Sequence, residues 1–347
     1  MKVIKDRKIR LALIGCGRIS ANHLDAIRNN SKDIELVATC DRSSDKAKKA
    51  AELFNAQHYT ELEDVISKEK PDIISLATPN GIHAKQAIQI AKAGIDVITE
   101  KPMALNWKDS NAMIQAASDN GSRLFVIHQN RFNDTVQAVW QALQKGRFGK
   151  LYMITSNVFW QRPQEYYDKD ASWHGTKELY GGAFMTQASH YVDLIQWIAQ
   201  SKPKKVFARL ATLARNIETE DTGAATIEWE NGILGSINMT VLTYPRNFEG
   251  SVTILGENGT VRIGGVAMNE IQHWEFSDKQ PEDDGIKEKN YATQSVYGYG
   301  HSRYYENAVK VLRGEGKALI DGIEAQKSLQ ILCAIYDSHE QNKPIMF

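Results

Sequence analysis

The sequence predicts an α/β protein of two domains: a doubly wound parallel sheet, then an α+β domain with a largely antiparallel sheet. Three observations carry this prediction. Short β-branched runs alternate with helical stretches from Ile9 to Ile127, the pattern of a parallel sheet covered on both faces. The run Gly15-Cys16-Gly17-Arg18-Ile19-Ser20 follows the first strand at once and opens a helix. Beyond Leu151 the helices thin out, and strand-like runs are joined by Asn-Gly turns. A length of 347 residues holds two such domains, with a boundary expected between residues 128 and 129.

The first strand is Ile9–Ile14. In the glycine run, Gly15 permits the tight turn and Gly17 lets the backbone approach a pyrophosphate. Ser20 is small enough for close helix packing, and the helix start at Ala21 favours an anion. His23 on that helix is given a packing role. The second strand, Ile34–Cys40, ends at Asp41, whose carboxylate can accept bonds from the ribose hydroxyls of a dinucleotide. Its charge favours NAD over NADP, although Arg42 beside it can accommodate a 2′-phosphate. Helices are expected over Asp45–Phe54, Glu61–Lys68, His83–Ala93 and Trp107–Asn120, the third stopping at Gly94. Strands are expected at His58–Tyr59, Asp72–Ala77, Val97–Thr99 and Leu124–Ile127. Glu100-Lys101-Pro102 then closes a buried strand, so Lys101 sits at a carboxyl tip, where open α/β sheets bind their ligands. Thr78, Pro79 and Asn80 follow another tip and wall the same edge.

In the second domain Asn133–Leu143 reads as a linking helix. Leu151–Trp160, Lys205–Thr212, Thr222–Trp229, Gly235–Thr243, Ser251–Leu255 and Gly259–Ile263 read as strands. Helices at Tyr304–Arg313 and Ile323–Ser338 are expected to cover one face of that sheet. Gly181-Gly182 opens an apolar helix on which Thr186 and His190 lie four apart, on one face, with Gln187 three before His190. Asp193 either orients the His190 ring or pairs at the surface. The loop from Trp160 to Thr176 is too polar for core and too aromatic for a linker. Its Arg162 suits a carboxylate or phosphate, and Tyr166 and Tyr167 suit a sugar or base.

Composition excludes several classes. The chain is 42% hydrophobic and 24% charged, with formal net charge zero and no basic block, which argues against nucleic acid or an anionic membrane as partner. Cys16, Cys40 and Cys333 lack metal-ligand spacing and read as reduced thiols, the first two as small core residues; no metal is expected. No apolar run approaches a membrane span, and the polar start lacks a signal peptide's apolar stretch, so a cytoplasmic location is expected.

Gly15-Cys16-Gly17, Glu100-Lys101-Pro102, Asn130-Arg131 and Gly181-Gly182…His190…Asp193 together resemble the glucose-fructose oxidoreductase / inositol dehydrogenase / MocA (Gfo/Idh/MocA) family. That resemblance implies a Rossmann domain followed by an open-faced sheet used for oligomerisation, as a tetramer or dimer. It implies reversible hydride transfer between NAD and a sugar or cyclitol carbinol. Lys101, often before a cis proline, and His190 would be the catalytic pair. The cofactor would meet Gly15, Gly17, Arg18, Ile19, Asp41, Arg42, Thr78, Pro79, Asn80, His83, Glu100 and Lys101. The substrate would meet Arg131, Arg162, Tyr166, Thr186, Gln187 and Arg246. Many members carry an aspartate four residues before the histidine; here Thr186 stands there, and the proton path is left to Lys101 and His190. The set Trp160…Arg162-Pro163-Gln164…Tyr166-Tyr167, Trp173…Gly175-Thr176 and Pro245-Arg246…Glu249-Gly250-Ser251 is most similar to the UDP-2-acetamido-2-deoxy-glucuronate 3-dehydrogenases of bacterial surface-polysaccharide (O-antigen/LPS) synthesis. The alternatives are an inositol or simple sugar dehydrogenase, and a non-catalytic regulator that senses NAD(P).

Overall fold

A computed structural model describes residues 2–169, 173–293, 296 and 298–347. The chain forms two compact units, one of residues 1–129 with 301–326, the other of 130–300 with 327–347.

The first unit is built on a six-stranded parallel sheet of β1 (Ile9–Ile14), β2 (Ile34–Cys40), β3 (Gln57–Tyr59), β4 (Ile73–Leu76), β5 (Asp96–Thr99) and β6 (Leu124–Val126), in the order β3-β2-β1-β4-β5-β6. Its central strands are buried along almost their whole length because helices cover both faces. In β1 every residue but Arg10 is buried, and Leu11 to Ile14 pair in register with Ile73 to Leu76 of β4. The strand order reverses between β1 and β4, which opens a crevice at the carboxyl ends. Helices Ser20–Asn29, Ser44–Glu52, His83–Lys92 and Trp107–Asp119 make the crossovers. The Asn106 side chain caps the last of these by accepting from the Asp109 N–H at 2.8 Å. The stretch expected as a helix at Glu61–Lys68 is one helical turn, Leu62–Asp64, run into a π-helical turn, Val65–Glu69.

The late helix Gly300–Arg313 departs from expectation. From His301 onward it belongs to the first unit and not to the second. Its Tyr305, Ala308, Val309 and Leu312 line one apolar seam with Ile9, Leu11, Ile34, Ile73 and Ile98. Arg313 donates to the Ile4 carbonyl at 3.0 Å, and Asp321 bridges Phe125 beside β6. The reason is patterning: the apolar stripe of this helix suits the uncovered face of a parallel sheet as well as that of an antiparallel one, and a single sequence does not say which.

The second unit carries an eight-stranded sheet of β7 (Leu151–Phe159), β8 (Pro203–Ala211), β9 (Thr222–Trp229), β10 (Leu234–Thr240), β11 (Glu249–Gly256), β12 (Gly259–Gly264), β13 (Glu270–Phe276) and β14 (Ile345–Met346). The order is β13-β12-β11-β7-β10-β9-β8-β14, antiparallel except between β7 and β10. The turns at Asn231-Gly232 and Asn258-Gly259 fall where the sequence placed them; Gly232 has φ +85°. β13 and β14 escaped the sequence reading: β13 buries only Ile271, and β14 has two residues. Helix Ser189–Ala199 buries every residue but Trp197, and Gln196 accepts from the Trp229 indole at 2.8 Å. The opposite face leaves Met153, Phe207 and Leu234 exposed.

Candidate active site

In the first unit the loops after β1, β2, β4 and β5 share one sheet edge, because parallel strands end together. Gly15 has φ +95°, and a Cβ there would lie 2.4 Å from the Ala77 carbonyl oxygen, so this turn tolerates no side chain. At Gly17 a Cβ would meet nothing within 4 Å. The protein's own packing makes no demand for glycine at that point, which fits a backbone kept bare for a bound group. Ser20 closes the loop by donating its hydroxyl to the Gly17 carbonyl at 2.6 Å. Asp41 accepts from the Cys16 N–H at 2.9 Å and the Ser43 N–H at 2.8 Å, so it braces the glycine loop while keeping lone pairs for further donors. Arg18 and Ile19 belong to the same loop, and Arg42 is exposed beside Asp41. Cys16 and Cys40 are pushed up to about 12 by burial, which leaves both as thiols.

Thr78 bonds Gln86 at 2.7 Å, and Asn80 is buried in a short 3-10 turn. His83, expected at the cofactor, is instead a brace. Its ring is fully buried, with Nε2 at 2.8 Å from the Thr78 carbonyl and Nδ1 at 2.9 Å from the Pro102 carbonyl. The chain itself thus occupies both ring nitrogens. Lys101 is half-buried and precedes a cis peptide to Pro102. Glu100 before it is buried, its carboxylate between His23 and His301 at 3.1 Å from each. Those two histidine bonds hold the carboxyl well below its ordinary value, outweighing burial, which raises it. His23 is therefore more than a packing residue, and neither His301 nor Tyr305 was singled out from the sequence. The available signal was a glutamate directly after a buried strand, which demands donors.

The second unit positions His190 as the second residue of helix Ser189–Ala199, buried at 5% exposure. The approach to it is irregular: Phe184–Ala188 is a π-helical turn. The simple four-residue spacing of Thr186 and His190 therefore does not describe their facing. The Thr186 hydroxyl donates to the Tyr180 carbonyl at 2.8 Å, and Gln187 accepts from the Tyr180 hydroxyl at 3.0 Å. Gly182 has φ +119°, and a Cβ there would meet the Tyr336 hydroxyl at 2.2 Å and Glu220 at 2.5 Å. Glu220 accepts from the Phe184 N–H and the Tyr336 hydroxyl, each at 2.8 Å; burial pushes its carboxyl up to about 7.

Asp193 pairs fork-to-fork with Arg131, Nε to Oδ2 at 2.8 Å and Nη2 to Oδ1 at 2.6 Å, both side chains buried. Arg131 also lies over the Trp197 ring at 4.9 Å. This corrects the expectation that Arg131 reaches a substrate; its charge is already neutralised inside the unit.

Arg162 differs. It is half-buried, with its guanidinium against Trp160 at 4.9 Å and Tyr166 at 5.4 Å. Its Nη1 donates to the Gln161 carbonyl at 2.7 Å and to Asn247 at 3.2 Å; among the described residues Nε and Nη2 bond nothing. A stacked, oriented guanidinium with open donors is an anion receptor in waiting. Tyr166 packs on His174 at 4.6 Å, which stacks on Trp173 at 4.3 Å. Arg246 is exposed in the turn that follows the cis Tyr244–Pro245 peptide.

Residues 9–128 match the family model described as the NAD-binding Rossmann fold of the Gfo/Idh/MocA oxidoreductases, and residues 141–347 match that family's C-terminal α/β domain. Among solved structures, the chain resembles the WlbA dehydrogenase of Bordetella pertussis in complex with NADH and UDP-GlcNAcA: 51% identity, 99% of each chain covered, TM-score 0.95. It also resembles the WlbA dehydrogenase of Chromobacterium violaceum in complex with the same two molecules: 48% identity, 100% of this chain and 98% of the other, TM-score 0.94. Among curated proteins, the 4-carboxy-2-hydroxymuconate-6-semialdehyde dehydrogenase of Sphingobium sp. is 30% identical over 155 residues; the match spans 44% of this chain and 49% of that protein.

Proposed function

Because this chain belongs to the Gfo/Idh/MocA oxidoreductase family, whose first domain binds NAD, we propose that it oxidises the 3-hydroxyl of a UDP-linked N-acetylglucosaminuronate to the ketone. The observation that carries this reading is the near-complete likeness to two dehydrogenases captured with NADH and UDP-GlcNAcA, at 51% and 48% identity. The stacked Arg162, with donors open to an anion, supports the same class of substrate.

NAD+ fits the first unit: the open space at Gly17, the helix starting at Ser20 and the Asp41 carboxylate suit a pyrophosphate and a ribose. Arg18, Ile19, Arg42, Thr78, Pro79, Asn80 and the main chain at Glu100 and Lys101 complete that site. When bound, NAD+ accepts the hydride that leaves C3. His190 takes the proton of the 3-hydroxyl as general base. Lys101 donates a hydrogen bond to the same oxygen as negative charge develops there. Arg162 and Arg246 meet the carboxylate and diphosphate, and Tyr166, Thr186 and Gln187 line the sugar side. Arg131, through Asp193, holds the helix of His190. The enzyme works in the cytoplasm in surface-polysaccharide synthesis, as a dimer or tetramer.

Replacing Lys101 with Ala, or His190 with Asn, should lower kcat by about 10²–10⁴ and leave NADH affinity within a few-fold. Turnover is followed as NADH absorbance with UDP-GlcNAcA, against UDP-GlcNAc, glucose and myo-inositol. A signal with inositol and none with the uronate would overturn the substrate reading.

A further inference from the structure

A carboxylate closed off from water must find donors, and Glu100, at 6% exposure, finds three of them. Oε1 lies 3.1 Å from His23 Nε2 and 3.1 Å from His301 Nε2. Oε2 accepts the main-chain N–H of Lys101 at 3.2 Å. An ionised carboxylate only accepts, so each facing imidazole nitrogen carries a proton. On His23 that leaves Nδ1 as the acceptor. It meets Tyr305 Oη at 2.7 Å and Ser75 Oγ at 3.1 Å, and those two hydroxyls are 2.8 Å apart. The tautomer is thereby fixed from both sides. Burial lowers the proton affinity of His23, consistent with a neutral ring.

The residues come from four places in the first unit: His23 from the helix that starts at the glycine loop, Ser75 from β4, Glu100 from the tip of β5, and His301 and Tyr305 from Gly300–Arg313. His301 and Tyr305 are one helical turn apart, which puts both on one face. In the reactive loop the network grips the amide of Lys101.

We propose that Glu100, His23 and His301 are positioning residues that hold the main chain of Lys101, and so set where its ammonium reaches. This rests on the reading of Lys101 as a catalytic residue. The glycine-loop helix and the lysine are thereby tied through one carboxylate. A small displacement of either group costs rate more than affinity, since a misplaced catalytic group by about 1 Å loses roughly a hundredfold.

The test uses His301→Leu, which removes a donor, His301→Gln, which keeps one, and Glu100→Gln, which keeps the shape and loses the charge. Lys101→Ala serves as the control. His301→Leu and Glu100→Gln should lower kcat about ten- to a hundredfold. In His301→Leu the NADH dissociation constant should stay within about twofold, and His301→Gln should regain most of the rate. Hydrogen exchange at the Lys101 amide, resolved by electron-transfer fragmentation, should quicken about tenfold or more in His301→Leu and Glu100→Gln, with β1 still protected. That readout needs no substrate. An unchanged amide and an unchanged kcat in His301→Leu would overturn the proposal; so would a fall in kcat that only tracks loss of NADH binding and of melting temperature. Should Lys101→Ala keep full turnover, the catalytic reading fails, while amide exchange still decides whether the network grips this peptide. The three ligand atoms also lie within 4.8 Å of one another, a spacing that suits a divalent cation. One equivalent of zinc retained by the purified protein and lost in Glu100→Gln would replace the hydrogen-bonded network with a metal centre.

Discussion

Arg131 and Asp193 neutralise each other out of reach of water, which makes each intolerant of losing the other. Asp193→Ala strands a buried guanidinium and should destabilise the protein by about 3–5 kcal/mol in urea melts, whereas replacing both with apolar residues should cost much less. Arg162 lies at the other extreme, held by aromatic faces with donors open. Arg162→Ala should raise KM for UDP-GlcNAcA about tenfold or more while kcat changes little, and Arg162→Lys should recover only part because an ammonium does not stack as a planar fork does. The sequence told these arginines apart poorly. Arg131 stood in the family motif, but its partner lies 62 positions away on another helix. Lys101 could be placed after a strand and His190 on an apolar helix because such patterns are local. The donors to Glu100 were not, since His23 and His301 lie 77 and 201 positions from it in sequence.

The glycine loop and the π-helical turn are elements whose glycines answer to different constraints. Gly15→Ala collides with the Ala77 carbonyl and should destabilise the fold; Gly17→Ala meets no protein atom, so it should leave the melting temperature nearly unchanged and weaken NADH binding, as titrated by fluorescence. At the π-turn, Glu220 supplies the pH dependence. Its carboxyl is raised to about 7 from an ordinary 4.5, so between those values the unfolded chain releases a proton that the folded chain keeps. Stability must then fall as pH rises through that window, by a contribution of about 3 kcal/mol that is complete above 7. Urea melts at pH 5 and pH 8 should show wild type losing ground to Glu220→Gln at the higher pH. Periodicity found most strands and helices here, because apolar alternation is written into them. It missed the π-turn and β13, where the pattern is broken or mostly exposed.

At the scale of the whole molecule, the exposed face of the eight-stranded sheet presents Met153, Phe207 and Leu234. Aromatic and aliphatic side chains set on a broad sheet suit a partner of the same shape. Light scattering should find a dimer or tetramer, and a charge introduced by Phe207→Glu should shift it toward monomer. The two-domain plan followed from the alternation of strand and helix, but chain order misled about where the first unit ends, since residues 301–326 return to it. That return has a consequence for biogenesis. During synthesis the first 129 residues leave the ribosome without the segment that covers Ile9, Ile73 and Ile98 and without the imidazole that completes the shell around Glu100. The nucleotide-binding unit is therefore begun before the second unit but cannot be finished until residues 130–300 of that unit have been made. Its apolar seam waits, open to chaperones, until residues 301–326 have emerged.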